Sequence, residues 1–213
     1  MRCAWGPAPA QCLAMVLSIA LVDCGSRKVP ELAAMLELAG ARCQRIALGD
    51  ADAKAAAPGA SDALVISGGP RLFTSEPGLG AEFSFLDGLA LPTLGICLGH
   101  QAIGLRRGAT AFLGEARRGP ELLEIVAAHP LLEGLGSSTT LGADHCEGIS
   151  LPPGFELLAS SRHYPVEIMA SRQAPVFGVQ CHPEISGEAG ARLLANFVAL
   201  ALAFVSRPGR RGG

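Results

Sequence analysis

Gly95-Ile96-Cys97-Leu98-Gly99-His100-Gln101 follows an apolar run ending Ala90-Leu91-Pro92-Thr93-Leu94 and opens into the helical pattern Gln101-Ala102-Ile103-Gly104-Leu105. The stretch predicts a strand, a tight turn and a helix. A cysteine with glycines two residues before and two after is the thiol form of a nucleophile elbow, in which small neighbours permit a strained bend that projects the reactive atom from the sheet edge. The helix that starts there aims free N–H groups and its positive dipole end at the sulfur, which favours thiolate over thiol. The thiolate is the nucleophile.

A lone Cys in an apolar segment is ordinarily a small buried hydrophobe. A second segment changes that reading. Gly178-Val179-Gln180-Cys181-His182-Pro183-Glu184 closes the apolar run Ala174-Pro175-Val176-Phe177 with a histidine, a proline and a carboxylate. A Cys nucleophile needs a base within hydrogen-bond reach, and the base needs an acceptor on its other ring nitrogen to orient it. His182 and Glu184 can fill those roles, with Pro183 fixing one torsion between them. Strand alternation turns the Cys181 thiol away from His182 and predicts it buried and inert. His145 and Cys146 are read as lying on a loop, and His129 and His163 as surface residues without partners.

Leu17–Val22 reads as a buried strand and Pro30-Glu31 as the start of a helix with Leu32, Met35, Leu36 and Ala39 inward, ended by Gly40. Gln44–Leu48 and Ala63–Ser67 read as further strands, with loop or a short helix over 51–60. Such alternation implies a parallel sheet covered on both faces, with ligands bound at the carboxyl ends of its strands, where Ser67-Gly68-Gly69 and Cys97 both fall. From Leu122 to Ile168, Gly and Pro divide the chain into short segments that suggest antiparallel strands. A last helix over Gly187–Ala203 places Leu193, Leu194, Phe197 and Leu200 inward. The fold class is therefore α/β, a mostly parallel open sheet flanked by helices, with a small antiparallel section in the second half.

The elbow and the His-Pro-Glu together resemble the class I glutamine amidotransferase family, from about Ile19 to about Phe197. Leu64-Val65-Ile66-Ser67-Gly68-Gly69-Pro70 resembles the family's oxyanion loop, and Asp23-Cys24-Gly25-Ser26 resembles the Asp-x-Gly-Ser after its first strand. The resemblance implies a flavodoxin-like domain over 16–205, with 1–15 and 206–213 as disordered tails. It implies Cys97, His182 and Glu184 as the triad; backbone N–H groups of Gly69 and Leu98, with Gly68, at the oxyanion; Gln101 and His145 as substrate contacts; and glutamine as substrate. The reading of Gln101 as a solvated helix residue stays open. No metal and no cofactor are implied.

Leu151-Pro152-Pro153-Gly154-Phe155-Glu156-Leu157-Leu158-Ala159-Ser160-Ser161 and Pro165-Val166-Glu167 resemble the glutaminase part of GMP synthetases, particularly the free-standing form. That likeness implies a separate ATP-dependent GMP synthetase as ammonia acceptor. Relatives of that type carry Ser-His-x-Asp-Glu-Val where this chain has Asp144-His145-Cys146-Glu147-Gly148-Ile149, which keeps the His and replaces the Ser, Asp and Glu. Arg71-Leu72-Phe73 is also bulkier than usual. A small subunit of anthranilate or aminodeoxychorismate synthase and a stand-alone γ-glutamyl hydrolase remain as alternatives.

Composition sets the outer bounds. A chain of 213 residues suffices for one buried core, and 17 basic against 19 acidic residues give a net charge of −2 and predict no electrostatic attraction to nucleic acid or an anionic membrane. Seven cysteines, odd in number and without a Cys-x-x-Cys pair, suggest neither a zinc site nor a complete disulfide framework. The expected compartment is the reducing cytoplasm. Leu13–Val22 could pass for a signal-peptide core, but it runs into the Asp23–Ser26 segment and is read as the first strand, with Met15 as a possible start. No apolar stretch is expected to reach the ~18 residues of a membrane span.

Overall fold

Strand β1 (Leu17–Asp23) is buried along most of its length because it runs inside a sheet covered on both faces, where a near-continuous apolar run is the stable pattern. The computed structural model describes residues 16–51, 60–88 and 90–207. The expected tail 1–15, most of the other tail and most of the 51–60 segment lie outside those residues.

β1 pairs in parallel with β2 (Ala41–Ala47) and β3 (Ala63–Ile66); β3 pairs with β4 (Thr93–Ile96), and β4 with β9 (Val176–Val179). Beyond β9 the sheet continues antiparallel through β8 (Ile168–Ser171), β7 (Phe155–Ser161), β5 (Ala111–Ile125) and β6 (Ser138–Ile149), in the order β2-β1-β3-β4-β9-β8-β7-β5-β6. Alternate residues of the parallel strands serve two cores. Ile19, Leu21, Val65, Leu94 and Ile96 face α1 (Val29–Leu38) and α3 (Gly187–Val205), which contribute Leu32, Leu36, Leu193, Leu194 and Phe197. Ala20, Val22, Leu64 and Ile66 face α2 (Leu98–Arg106) and the short helical segment Leu79–Leu86, which contribute Leu98, Ile103, Leu79 and Phe83.

The α/β class is as the sequence implies, with differences of extent. β2 starts at Ala41 rather than Gln44. The antiparallel half starts at Ala111, and β5 runs 15 residues straight through Gly119-Pro120. Its partner explains how: Pro120 lies opposite Gly142, whose N–H goes to Ser186 Oγ at 2.8 Å and whose carbonyl accepts from His182 N–H at 2.8 Å. The bond that proline cannot donate is not missed there. One described helix, α3, is long and apolar enough to cross a membrane by length and composition, contrary to the expectation. In this fold its apolar face packs against the sheet.

Candidate active site

Cys97 follows the last residue of β4 with φ 50° and ψ −105° and is the only non-glycine residue of positive φ among the described residues. That backbone is costly for a residue with a Cβ and persists only where its surroundings over-determine it. Here Cys97 N–H donates to Val179 O at 2.8 Å, and Gln101 N–H donates to Cys97 O at 3.0 Å. The flanking glycines are required because the turn brings backbones together: a Cβ on Gly95 would lie 2.4 Å from Gly99 O, and one on Gly99 would lie 2.5 Å from Ile66 O. α2 begins at the next residue, so the unpaired N–H groups of its first turn lie at the helix end beside Cys97.

β9 ends at Val179, and His182 lies beyond it, heading a single turn over Pro183–Ile185. Cys181 therefore lies outside the strand, and strand alternation does not set the direction of its thiol. Its burial still holds: Cys181 belongs to the core, and burial pushes its thiol well above the ordinary range. His182 is pinned through its backbone, donating N–H to Gly142 O at 2.8 Å and accepting Ser186 Oγ–H at 2.6 Å. Its Nδ1 lies 2.7 Å from Glu184 Oε1, with both side chains buried. The imidazole also hydrogen-bonds Cys97; burial works against its charged form, but the bonds and charges of Cys97 and Glu184 together hold it up at about 10. The site thus favours an imidazolium beside the sulfur.

The turn after β3 touches both groups. A Cβ on Gly68 would sit 2.8 Å from His182 Cε1 and 3.3 Å from Cys97 Cβ, so only glycine permits this approach. Ser67 anchors the turn, with its N–H on Val22 O at 3.0 Å and its Oγ accepting Cys24 N–H at 2.9 Å. Gly69 and Leu98, the expected oxyanion residues, line a cavity of about 640 Å³ together with Cys97, Gln101, His145 and His182. Backbone N–H groups at that edge can meet a developing negative charge.

All eight expected residues gather at this end of the sheet, with Glu184 behind His182. Gln101 is buried rather than solvated, its Nε2 donating to Glu147 O at 3.1 Å and Gln180 Oε1 at 3.2 Å. His145 lies within β6 and not on a loop. Its ring stands edge-on to Tyr164 with centroids 4.5 Å apart, and burial pushes it down to about 4, which makes it a neutral wall of the cavity. The two histidines expected to lack partners have them: His163 Nδ1 lies 2.8 Å from Glu121 Oε1, and His129 Nδ1 accepts Leu131 N–H at 3.0 Å.

Two features escape a reading of the sequence. Lys28 and Asp144 form an ion pair of 2.5 Å at the cavity rim, and Glu147 is buried with its carboxylate on the backbone of Phe73 and Thr74. The acidic residue two places after His145, where the resembling pattern has Asp, is the available signal for the second.

A family described as glutamine amidotransferase class-I matches residues 20–201. A GMP synthase (glutamine-hydrolyzing) subunit from Methanosarcina barkeri is 39% identical over 140 residues, which cover 64% of this chain and 72% of that one. The crystal structure of a Thermoplasma acidophilum protein proposed to be one of the subunits of a GMP synthase superposes with a TM-score of 0.81 at 26% identity, covering 89% of this chain and 96% of that one. A glutamine amidotransferase structure from Thermotoga maritima has a TM-score of 0.70 at 16% identity, covering 91% of this chain and 87% of its own, a likeness of fold alone.

Proposed function

This chain belongs to the class I glutamine amidotransferase family, and we propose that it is a glutaminase subunit that delivers ammonia to a separate ATP-dependent GMP synthetase. The observation that carries the reading is the placement of His182 between the Glu184 carboxylate and the Cys97 sulfur on a strained elbow. The likeness to the GMP synthase subunit of Methanosarcina barkeri supports the acceptor.

The reaction follows from the groups present. The Cys97 thiolate attacks the side-chain carbonyl carbon of glutamine, and the N–H groups of Gly69 and Leu98 receive the oxyanion. The His182 imidazolium gives its proton to the departing nitrogen, which leaves as ammonia. A water then loses a proton to the neutral His182 and attacks the γ-glutamyl thioester, releasing glutamate and restoring the sulfur. Glu184 holds the ring tautomer throughout and stabilises the charged ring. Gln101 and His145 form the substrate-side wall. The same reading has the catalytic domain span 16–205 and the reaction take place in the cytoplasm.

Free ammonia is protonated and inert as a nucleophile at neutral pH, so hydrolysis without an acceptor is wasteful and coupling is expected. Glutamate release by the purified chain should be weak alone and rise with GMP synthetase, ATP and XMP, as binding orders the loops around the site. Stimulation by a chorismate-utilising synthase in place of the GMP enzyme would move the assignment to that group. Full activity alone, with no stimulation by any synthase, would identify an independent γ-glutamyl hydrolase.

A further inference from the structure

Glu147 is 1% exposed, a depth at which a carboxylate needs a full set of partners. Its partners are not cations. Oε1 accepts Thr74 N–H at 2.7 Å and Oε2 accepts Phe73 N–H at 3.0 Å, while its backbone carbonyl accepts Gln101 Nε2 at 3.1 Å. One residue of β6 therefore holds a loop more than seventy positions earlier in the chain and the first turn of α2.

That loop carries the oxyanion turn. Gly69, Pro70, Arg71 and Leu72 line the cavity, and the chain from Gly68 to Thr74 is tied at its start by the Ser67 bonds and at its end by Glu147. On the outside, Arg71 pairs with Glu76 and Glu82, contacts with water on one side that hold position weakly. The buried tie sets where the loop lies. None of the bonds that seat Cys97, His182 and Glu184 runs through the Glu147 carboxylate.

We propose that Glu147 is a positioning residue for the glutaminase reaction, holding the Gly68–Thr74 loop so that the Gly69 N–H points at the oxyanion formed on Cys97. The proposal rests on the glutaminase reading above. An oxyanion donor must lie about 2.7–3.1 Å from the place the oxyanion will occupy, and a displacement of 1 Å costs on the order of 10²-fold in rate. Glu147→Gln keeps the shape but puts an NH2 group against a backbone N–H, so the loop must shift or lose a bond. The proton exchange between Cys97 and His182 needs only those two side chains and Glu184, whereas attack on a carbonyl also needs the Gly69 N–H of this loop.

The test separates those two chemistries. The full chain and its Glu147→Gln and Glu147→Asp variants are assayed with the synthetase, ATP and XMP for kcat and KM on glutamine. In parallel, the rate of Cys97 alkylation by iodoacetamide, a displacement that needs the thiolate and no oxyanion donor, is followed by mass mapping. For Glu147→Gln the expected result is a kcat lower by roughly 10- to 100-fold, a KM within about threefold and an alkylation rate within about twofold of the parent. Glu147→Asp, with both acceptor oxygens, should recover part of the loss. An unchanged kcat, or alkylation falling in step with kcat, would overturn the positioning role. A parent chain that releases no glutamate would instead overturn the glutaminase reading beneath it.

Discussion

His182 is legible from the sequence because its partner lies two residues away and its target sits in a self-announcing elbow; local chemistry leaves local traces. Glu147 and Lys28 are not, because their partners lie 73, 74 and 116 positions distant, and no spacing rule reaches that far. Glu167 shows the same blindness with a measurable consequence. The segment around it reads only as a family likeness, yet the carboxyl is buried, and burial, opposed by a hydrogen bond with Ser161, pushes it up to about 7. The native state then holds a proton between pH ~4.5 and ~7 that the unfolded chain releases. Its contribution to stability is therefore present below about 4.5 and lost as pH rises through about 7, on the order of 3 kcal/mol. Glu167→Gln should remove this slope, so that the variant gains on the parent between pH 5 and pH 8 in urea unfolding. Parallel stability curves for the two proteins over that range would contradict the buried, neutral carboxyl.

The elbow is an element-scale device, in which β4, the Cys97 turn and α2 are locked by backbone contact. Alternation of strand and helix and the glycine spacing announce the parallel strands and the turn, since those patterns are repeated locally. The length of β5 and β6 is hidden because Gly119, Pro120 and Gly142 read as breaks; only the third element, the His182–Ser186 turn, makes a proline acceptable at that point of the ladder. The same turn takes His182 off the end of β9, which is why the strand alternation rule does not govern Cys181. Gly99→Ala tests the lock. Its methyl would press on the Ile66 carbonyl at 2.5 Å, forcing α2 away from β3, and overpacking of this kind costs about 1–3 kcal/mol. Thermal unfolding should show a lowered midpoint, and glutamine hydrolysis should fall more than stability does, because α2 carries the N–H of Leu98. A variant as stable and active as the parent would mean that the helix does not sit this close to the sheet.

Across the whole molecule the two halves of the sheet divide the work. The parallel strands end in the Gly68 turn and Cys97, with His182 just beyond β9; the antiparallel β6 supplies Gly142, which pins His182, and the wall made by His145 and Glu147. The fold class can be read from alternation and order along the chain. The joining of the halves cannot, since it depends on long-range bonds. What unites them in this account is one reaction at one sulfur. The most direct test is glutamate release from L-glutamine by Cys97→Ala beside the parent, both with GMP synthetase, ATP and XMP, with circular dichroism confirming that both are folded. The expected result is a folded variant whose rate falls by roughly 10⁴-fold or more, as when a nucleophile is removed from a triad; a folded variant that releases glutamate at a rate comparable with the parent would contradict a Cys97 thioester.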